Sequence, residues 1–307
     1  MKHLRHASAP CVAALLGLLL MTTALAHDDH DHAEGPWSAS LADVRRVAAM
    51  IPGARPLRIN VAKVAESRRT KNFSVKGVAA EPSVQARTAY QVVYADGTLM
   101  IDAGMDLATH RFFGRGVDEP YYPGVAALVD AALLRAKLIV LTHEHGDHAA
   151  GVITSAQLAA LAPKTILTRS QLRTLTTAPQ IPSLRLTAEA ARRFTVIDYE
   201  RYFPLAPGIV LIKAPGHTHG SQMIYLALQS GAEYLFVGDV AWHMDGIRML
   251  RDKDAPWVGE PEALMLAELR WLREVHQDQP DVRIVVSHDE DQRLDYLRRG
   301  VLGGALE

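Results

Sequence analysis

Four short apolar runs punctuate the chain, each closed by polar residues: Leu138-Ile139-Val140-Leu141, Ile209-Val210-Leu211-Ile212, Leu235-Phe236-Val237 and Ile284-Val285-Val286. Runs of this length, rich in β-branched residues, predict buried strands. Leu57–Val64 alternates and predicts another. Tyr90–Tyr94 and Thr98–Ile101 flank Ala95-Asp96-Gly97, a hairpin signal that leads into Asp102. Met223–Leu228 and Tyr234–Val237 flank residues 229–233 and lead into Asp239, so a strand-turn-strand-Asp unit occurs twice. Helical spacing appears between these segments. Ser40 and Asp43 suggest a capping box for a short helix ending near Ile51. Val125, Leu128, Val129, Ala132 and Leu133 share the inward face of a helix over 125–135. A helix over 260–275, with Pro261 in its first turn, gathers Leu264, Leu266, Leu269, Trp271, Leu272 and Val275. Both helices are expected to serve packing alone.

The polar residues that close the strands change the picture. His143-Glu144-His145-Gly146-Asp147-His148 follows the first run directly. In an extended stretch His143 and His145 point to one side, while Asp147 and His148 follow where the chain turns and can face a second ion. Imidazole and carboxylate ligands suit zinc and similar first-row ions. So many crowded polar groups would be costly to desolvate without a partner. His217, Asp239 and His288 each lie just past the end of another run. Open α/β sheets place their sites at that edge.

The His-x-His-x-Asp-His run, followed by His217, Asp239 and His288, resembles the metallo-β-lactamase-fold hydrolase superfamily over roughly residues 90–292. The resemblance implies an α/β fold: an αβ/βα four-layer sandwich of two mixed sheets with helices outside. It implies two zinc ions, with iron or manganese as alternatives. His143, His145 and His217 would hold one, Asp147, His148 and His288 the second, and Asp239 would bridge both. The implied chemistry is hydrolysis by a hydroxide shared between the ions, with Asp147 and Asp239 as the catalytic carboxylates. No Gly-x-Ser-x-Gly elbow argues for a serine nucleophile.

Zinc β-lactamases usually carry Cys or Ser where this chain has Asp239. In that respect, and in Ser287-His288-Asp289-Glu290-Asp291-Gln292, the chain is similar to lactonases; thioesterases and phosphodiesterases of the family share the Asp. The expected substrate is a small lactone or carboxylic ester. A β-lactamase-like amide hydrolase or a thioesterase is the alternative, and a zinc-buffering protein the non-enzymatic one. Lactonases often add a Tyr as oxyanion donor, and Tyr121, Tyr122, Tyr199 and Tyr202 are available. Asp102 either orients a ligand histidine or serves its turn beside Gly104. His219 is read as outside the ligand set. Trp242 and His243 either line the substrate mouth or pack beneath the adjacent loop. Phe112 and Phe113 fall in a long connection that suggests a lid or an acyl-chain contact.

Composition adds an address. At 307 residues and 49% hydrophobic content, the chain can bury a large core, and residues 40–307 read as one hydrolase domain. Lys2 and Arg5, the apolar stretch Val12–Leu25 and Ala24-Leu25-Ala26 predict a signal peptide over 1–26. The expected localisation is secreted or periplasmic, without a stable membrane anchor after cleavage. The only cysteine, Cys11, would leave with that segment. The balance of 33 basic against 34 acidic residues would become 31 against 34, a formal charge of −3. No long basic stretch marks a nucleic-acid face, so the expected partner is a small-molecule substrate. Residues 27–39 read as a flexible tail whose His27-Asp28-Asp29-His30-Asp31-His32 either collects zinc or stays solvated. Oligomeric state is left open.

Overall fold

A computed structural model of the chain describes residues 37–256 and 258–307. The expected signal peptide and the His27–His32 stretch lie outside the described residues. Eleven strands are described. They are β1 (Arg58–Thr70), β2 (Pro82–Tyr94), β3 (Gly97–Ile101), β4 (Leu138–Val140), β5 (Thr165–Thr168), β6 (Thr195–Ile197), β7 (Tyr202–Ala206), β8 (Ile209–Lys213), β9 (Gln222–Ala227), β10 (Glu233–Phe236) and β11 (Val282–Val285). They form two mixed sheets, ordered β1-β2-β3-β4-β5-β6 and β11-β10-β9-β8-β7. The β2–β3 and β9–β10 hairpins form as the alternation predicts. β1 and β2 run several residues further than predicted.

The inner faces of the two sheets make one core: Ile59, Tyr90, Val92, Ile101 and Val140 meet Ile209, Leu211, Ile224, Tyr234 and Val285. The outer face of the first sheet packs with the helices Pro123–Arg135 and Gly146–Ile153 through Met100, Ile139, Leu133 and Val152. The outer face of the second packs with the helices Leu41–Ala48, Met244–Met249 and Glu262–Asp278 through Val44, Ile247, Met265, Leu269 and Leu272. This is the expected αβ/βα four-layer sandwich. Among the described residues no helix is long and apolar enough to cross a membrane.

Several local expectations are corrected. Leu128 lies on the exposed side of its helix, 56% accessible, while Val129, Ala132 and Leu133 face inward. Ser40 accepts from the Asp43 backbone N–H, but its own N–H donates to the Tyr202 hydroxyl, so no reciprocal capping box forms. The long connection after Asp102 contains the helix Leu107–Gly114, N-capped by Asp106. Trp37, at the end of the stretch read as a tail, meets Trp271 edge-to-face at 5.8 Å and donates to the Lys213 carbonyl.

Candidate metal centre

Each expected ligand sits where a strand ends. His143 and His145 follow β4, and Asp147 and His148 open the helix Gly146–Ile153. His217 follows β8, Asp239 follows β10 and His288 follows β11. The structure brings all seven side chains together in two groups. His143, His145, His217 and Asp239 form one, and Asp147, His148 and His288 the other, with ligand atoms inside each group within 4.8 Å of one another.

Asp239 faces both groups. Its Oδ2 lies 3.7 Å from His143 Nε2 and 3.5 Å from His217 Nε2. Its Oδ1 lies 3.2 Å from both His148 Nε2 and His288 Nε2. Asp147 Oδ2 is 3.5 and 3.4 Å from the same two nitrogens. Ligands about 2.0–2.1 Å from a tetrahedral zinc would stand roughly 3.3–3.4 Å apart, so these spacings fit one ion per group.

The far sides of four of the five rings are also engaged. His148 Nδ1 is 2.8 Å from Asp102 Oδ2, and His288 Nδ1 donates to the Ala86 carbonyl at 2.8 Å. His217 Nδ1 is bonded to Glu260 Oε1, and His143 Nδ1 lies 3.1 Å from Thr142 Oγ1. These contacts fix tautomer and orientation, as outer partners of metal-ligating histidines do. His143 Nε2, His148 Nε2 and Asp239 Oδ1 are buried without a hydrogen-bond partner. Orphaned polar atoms of that kind need a charge to face. The residues fit a pair of metal ions.

The electrostatics agree. Burial pushes the imidazoles of His143 and His217 well below their ordinary pKa and lowers that of His145, which favours the neutral, ligating form. Burial opposes a charge on His148 as well, but Asp147, Asp239 and Asp102 outweigh it and hold its pKa well above ordinary. Such concentrated negative charge is what a cation balances. Burial alone would raise Asp147 and Asp239, yet Arg87 beside the first and His288 beside the second leave both well below the carboxylate range.

Asp102 thus takes the orienting role, and its Oδ1 also accepts from the Thr142 N–H at 2.7 Å. It holds a left-handed backbone, φ 58°, uncommon outside glycine but tolerated by aspartate. His219 is exposed and outside both groups. Trp242 does both jobs proposed for it: it is buried, lines the cavity and donates from Nε1 to Asp239 Oδ2 at 2.8 Å. His243 caps the helix Met244–Met249 by accepting from the Asp245 N–H.

A cavity of about 630 Å³ opens over the centre. Phe73, Phe112, Phe113, Val117, Trp242 and Val258 supply its apolar wall, and Arg69, Arg87 and Arg115 its cationic one. None of Tyr121, Tyr122, Tyr199 and Tyr202 lines it. Tyr121 donates to the Met105 carbonyl, Tyr122 to Glu66 and Tyr199 to Gln222, while Tyr202 accepts from Ser40.

Three groups at the site escaped the sequence reading. Arg87 on β2 bonds Asp147. Glu260, expected at a packing-helix start, precedes the helix Glu262–Asp278 and bonds His217. Lys253 lies 3.0 Å from Glu260 Oε2 and donates to the Asp239 carbonyl at 2.8 Å. Glu268, on the same helix, accepts from the Gly216 N–H at 2.9 Å, so that helix also braces the His217 loop. The sequence offered no sign of these roles: Arg87 lies before the predicted strand Tyr90–Tyr94 and falls inside β2 only in the structure.

The model of the metallo-β-lactamase superfamily matches residues 83–288. The chain belongs to this superfamily. Its members are hydrolases, and the two ligand groups lie within the matched segment. No curated protein matches the sequence. Among solved structures, the chain is similar to a quorum-quenching N-acyl homoserine lactone lactonase, at TM-score 0.62 and 15% identity over 80% of this chain and 97% of that one. It is similar to a dizinc quorum-quenching lactonase in complex with a homoserine product, at TM-score 0.54 and 16% identity over 78% and 91%. A probable metal-dependent hydrolase from Staphylococcus aureus aligns at TM-score 0.58 and 17% identity over 78% and 91%. At such identities the likeness is one of fold.

Proposed function

We propose that this metallo-β-lactamase-fold protein is a two-metal hydrolase of lactones or carboxylic esters that carry an apolar acyl group. The observation that carries the reading is Asp239, whose two oxygens face two separate histidine groups beneath a cavity walled by phenylalanines and a tryptophan. Two zinc or similar ions held there would polarise the substrate carbonyl and lower the pKa of water.

The chain's own residues account for the rest. Asp239 ties the two groups together and is itself held by Trp242 Nε1. Asp147, at the start of the helix Gly146–Ile153, is the carboxylate placed to orient the attacking water. Phe112, Phe113 and Val117 bury the acyl chain and exclude bulk water from the reacting carbonyl. Water adds across the acyl C–O bond, giving a carboxylate and an alcohol. The lactonase neighbours make such substrates the first to try. An export segment over residues 1–26 would place the enzyme outside the cytoplasm.

The test is hydrolysis by the purified protein of an acyl-homoserine lactone, an aryl ester, a thioester, a phosphodiester and a β-lactam, with bound metal measured on the same sample. Lactone or ester turnover that disappears on chelation supports the proposal. Turnover of the β-lactam alone overturns the substrate class, and so does activity that survives removal of all metal.

A further inference from the structure

The second ligand group has a cation of its own. Asp147 Oδ2 is the atom that faces His148 Nε2 and His288 Nε2 at 3.5 and 3.4 Å. The same oxygen accepts a hydrogen bond from Arg87 Nη1, which also stands 3.3 Å from His288 Nε2. A guanidinium N–H therefore points at two of the three ligand atoms peculiar to this group. Among the described residues, no equivalent cation touches the other group. Its nearest ammonium, Lys253 Nζ, is engaged by the backbone carbonyl of Asp239 and by Glu260, and it meets no ligand atom.

Arg87 is also loosely held elsewhere. Its Nη2 reaches Ser67 Oγ only at 3.4 Å, and its buried Nε has no acceptor. The guanidinium lies 5.5 Å from the Phe113 ring centroid and lines the cavity, so it has open space to turn into.

We propose that Arg87 competes with metal for the Asp147–His148–His288 group, so that the two sites load in sequence. The first ion enters His143, His145, His217 and Asp239. The second enters only as Arg87 releases Asp147 and turns toward the cavity. Arginine cannot escape the competition by losing its proton. A fixed positive charge a few ångströms from an incoming divalent ion opposes binding strongly in a partly buried site. Asp147 contributes the only carboxylate that is not shared between the groups, and Arg87 neutralises it. The proposal rests on the two-metal reading above.

The experiment is a titration of the chelator-stripped full chain with Co²⁺, followed by absorption spectroscopy and by metal analysis after gel filtration. The expected result is two resolved steps, the second at least about tenfold weaker. Arg87→Gln should bring the second step to within about threefold of the first. Arg87→Lys, which keeps the charge, should leave the steps apart. Two equivalents taken up together by the unaltered protein would overturn the proposal while leaving the two-metal reading intact. So would an Arg87→Gln protein with the steps unchanged. Uptake of no ion would overturn the metal reading, and this inference with it. The unaltered protein alone decides the first outcome if Arg87→Gln does not fold.

Discussion

At Asp239 the two oxygens of one carboxylate serve different histidine groups, so replacing it acts on both. Asp239→Ala should lower bound metal below that of the unaltered protein and reduce hydrolysis by about 100-fold or more; full activity with unchanged metal content would refute the bridging role. Glu260 acts one step further out, through His217 Nδ1. Glu260→Gln retains the shape and exchanges the carboxyl, which burial pushes up to about 8, for an amide, and metal affinity should fall by about 10- to 100-fold. A competition titration against a chelator of known affinity reads that change, and equal affinity for both proteins would remove Glu260 from the account.

At the scale of elements, the site depends on β2 outrunning β3. Tyr90–Tyr94 pair with Gly97–Ile101, which leaves the earlier residues of β2 with a free edge. The segment after β11 docks there: the Ala86 N–H donates to the His288 carbonyl at 3.2 Å, and His288 Nδ1 returns a bond to the Ala86 carbonyl. One strand of the first sheet thereby positions a histidine from the second. The helix Gly146–Ile153 depends on a close approach of another kind. A Cβ at Gly151 would stand 2.0 Å from the Ala103 carbonyl oxygen, nearer than any real contact. Gly151→Ala should therefore push this helix off the sheet, destabilise the protein by about 1–3 kcal/mol in denaturant unfolding and loosen Asp147 and His148. A denaturation midpoint equal to that of the unaltered protein would show that the helix absorbs the methyl group. The helix Leu107–Gly114 presents Phe112 and Phe113 to the cavity. Truncating both to Ala should narrow the preference for long-chain over short-chain lactones by about tenfold or more, given ~0.8 kcal/mol per buried methylene. Comparing kcat/KM across a series of chain lengths measures it.

At the scale of the molecule, the described residues form a pair of sheets whose strand ends converge, and charge networks help to hold that arrangement. Lys63 on β1 bridges Glu66 and Glu290, at 2.8 Å each, and Glu290 opens the helix Glu290–Arg298. Burial works against ionisation of both glutamates. Hydrogen bonds from Lys63 and Tyr122 to Glu66, and from Arg293 and Lys63 to Glu290, outweigh it and hold both below the ordinary carboxylate range. Carboxyls with depressed pKa values stabilise the fold above their unfolded pKa and lose that contribution as pH falls through the folded value. Lys63→Met should accordingly lower stability at neutral pH by an amount that shrinks below about pH 4. A constant difference from pH 7 to pH 3 would exclude the network as its source.

The sequence by itself determined the candidate ligand types and their places, because a strand period of two and short apolar runs put every His and Asp of the set just past a strand end. Hairpins, short apolar runs and amphipathic helices fit two facing sheets with helices outside, and the resemblance to the metallo-β-lactamase family implied their αβ/βα order. The sequence went astray at Leu128, which fits an inward stripe yet faces out, and it left open whether any of four tyrosines serves the site, none of which lines the cavity. Only the tertiary structure decided that Arg87 would bond Asp147, that Glu260 and Lys253 would brace His217 and Asp239, and that phenylalanines would wall the cavity. Arg87 and Asp147 are separated by 60 positions, and His217 and Glu260 by 43. No spacing rule reaches across such distances, because which side chains meet there is set by strand order within each sheet and by the loops and helices docked on it, and not by any periodicity along the chain.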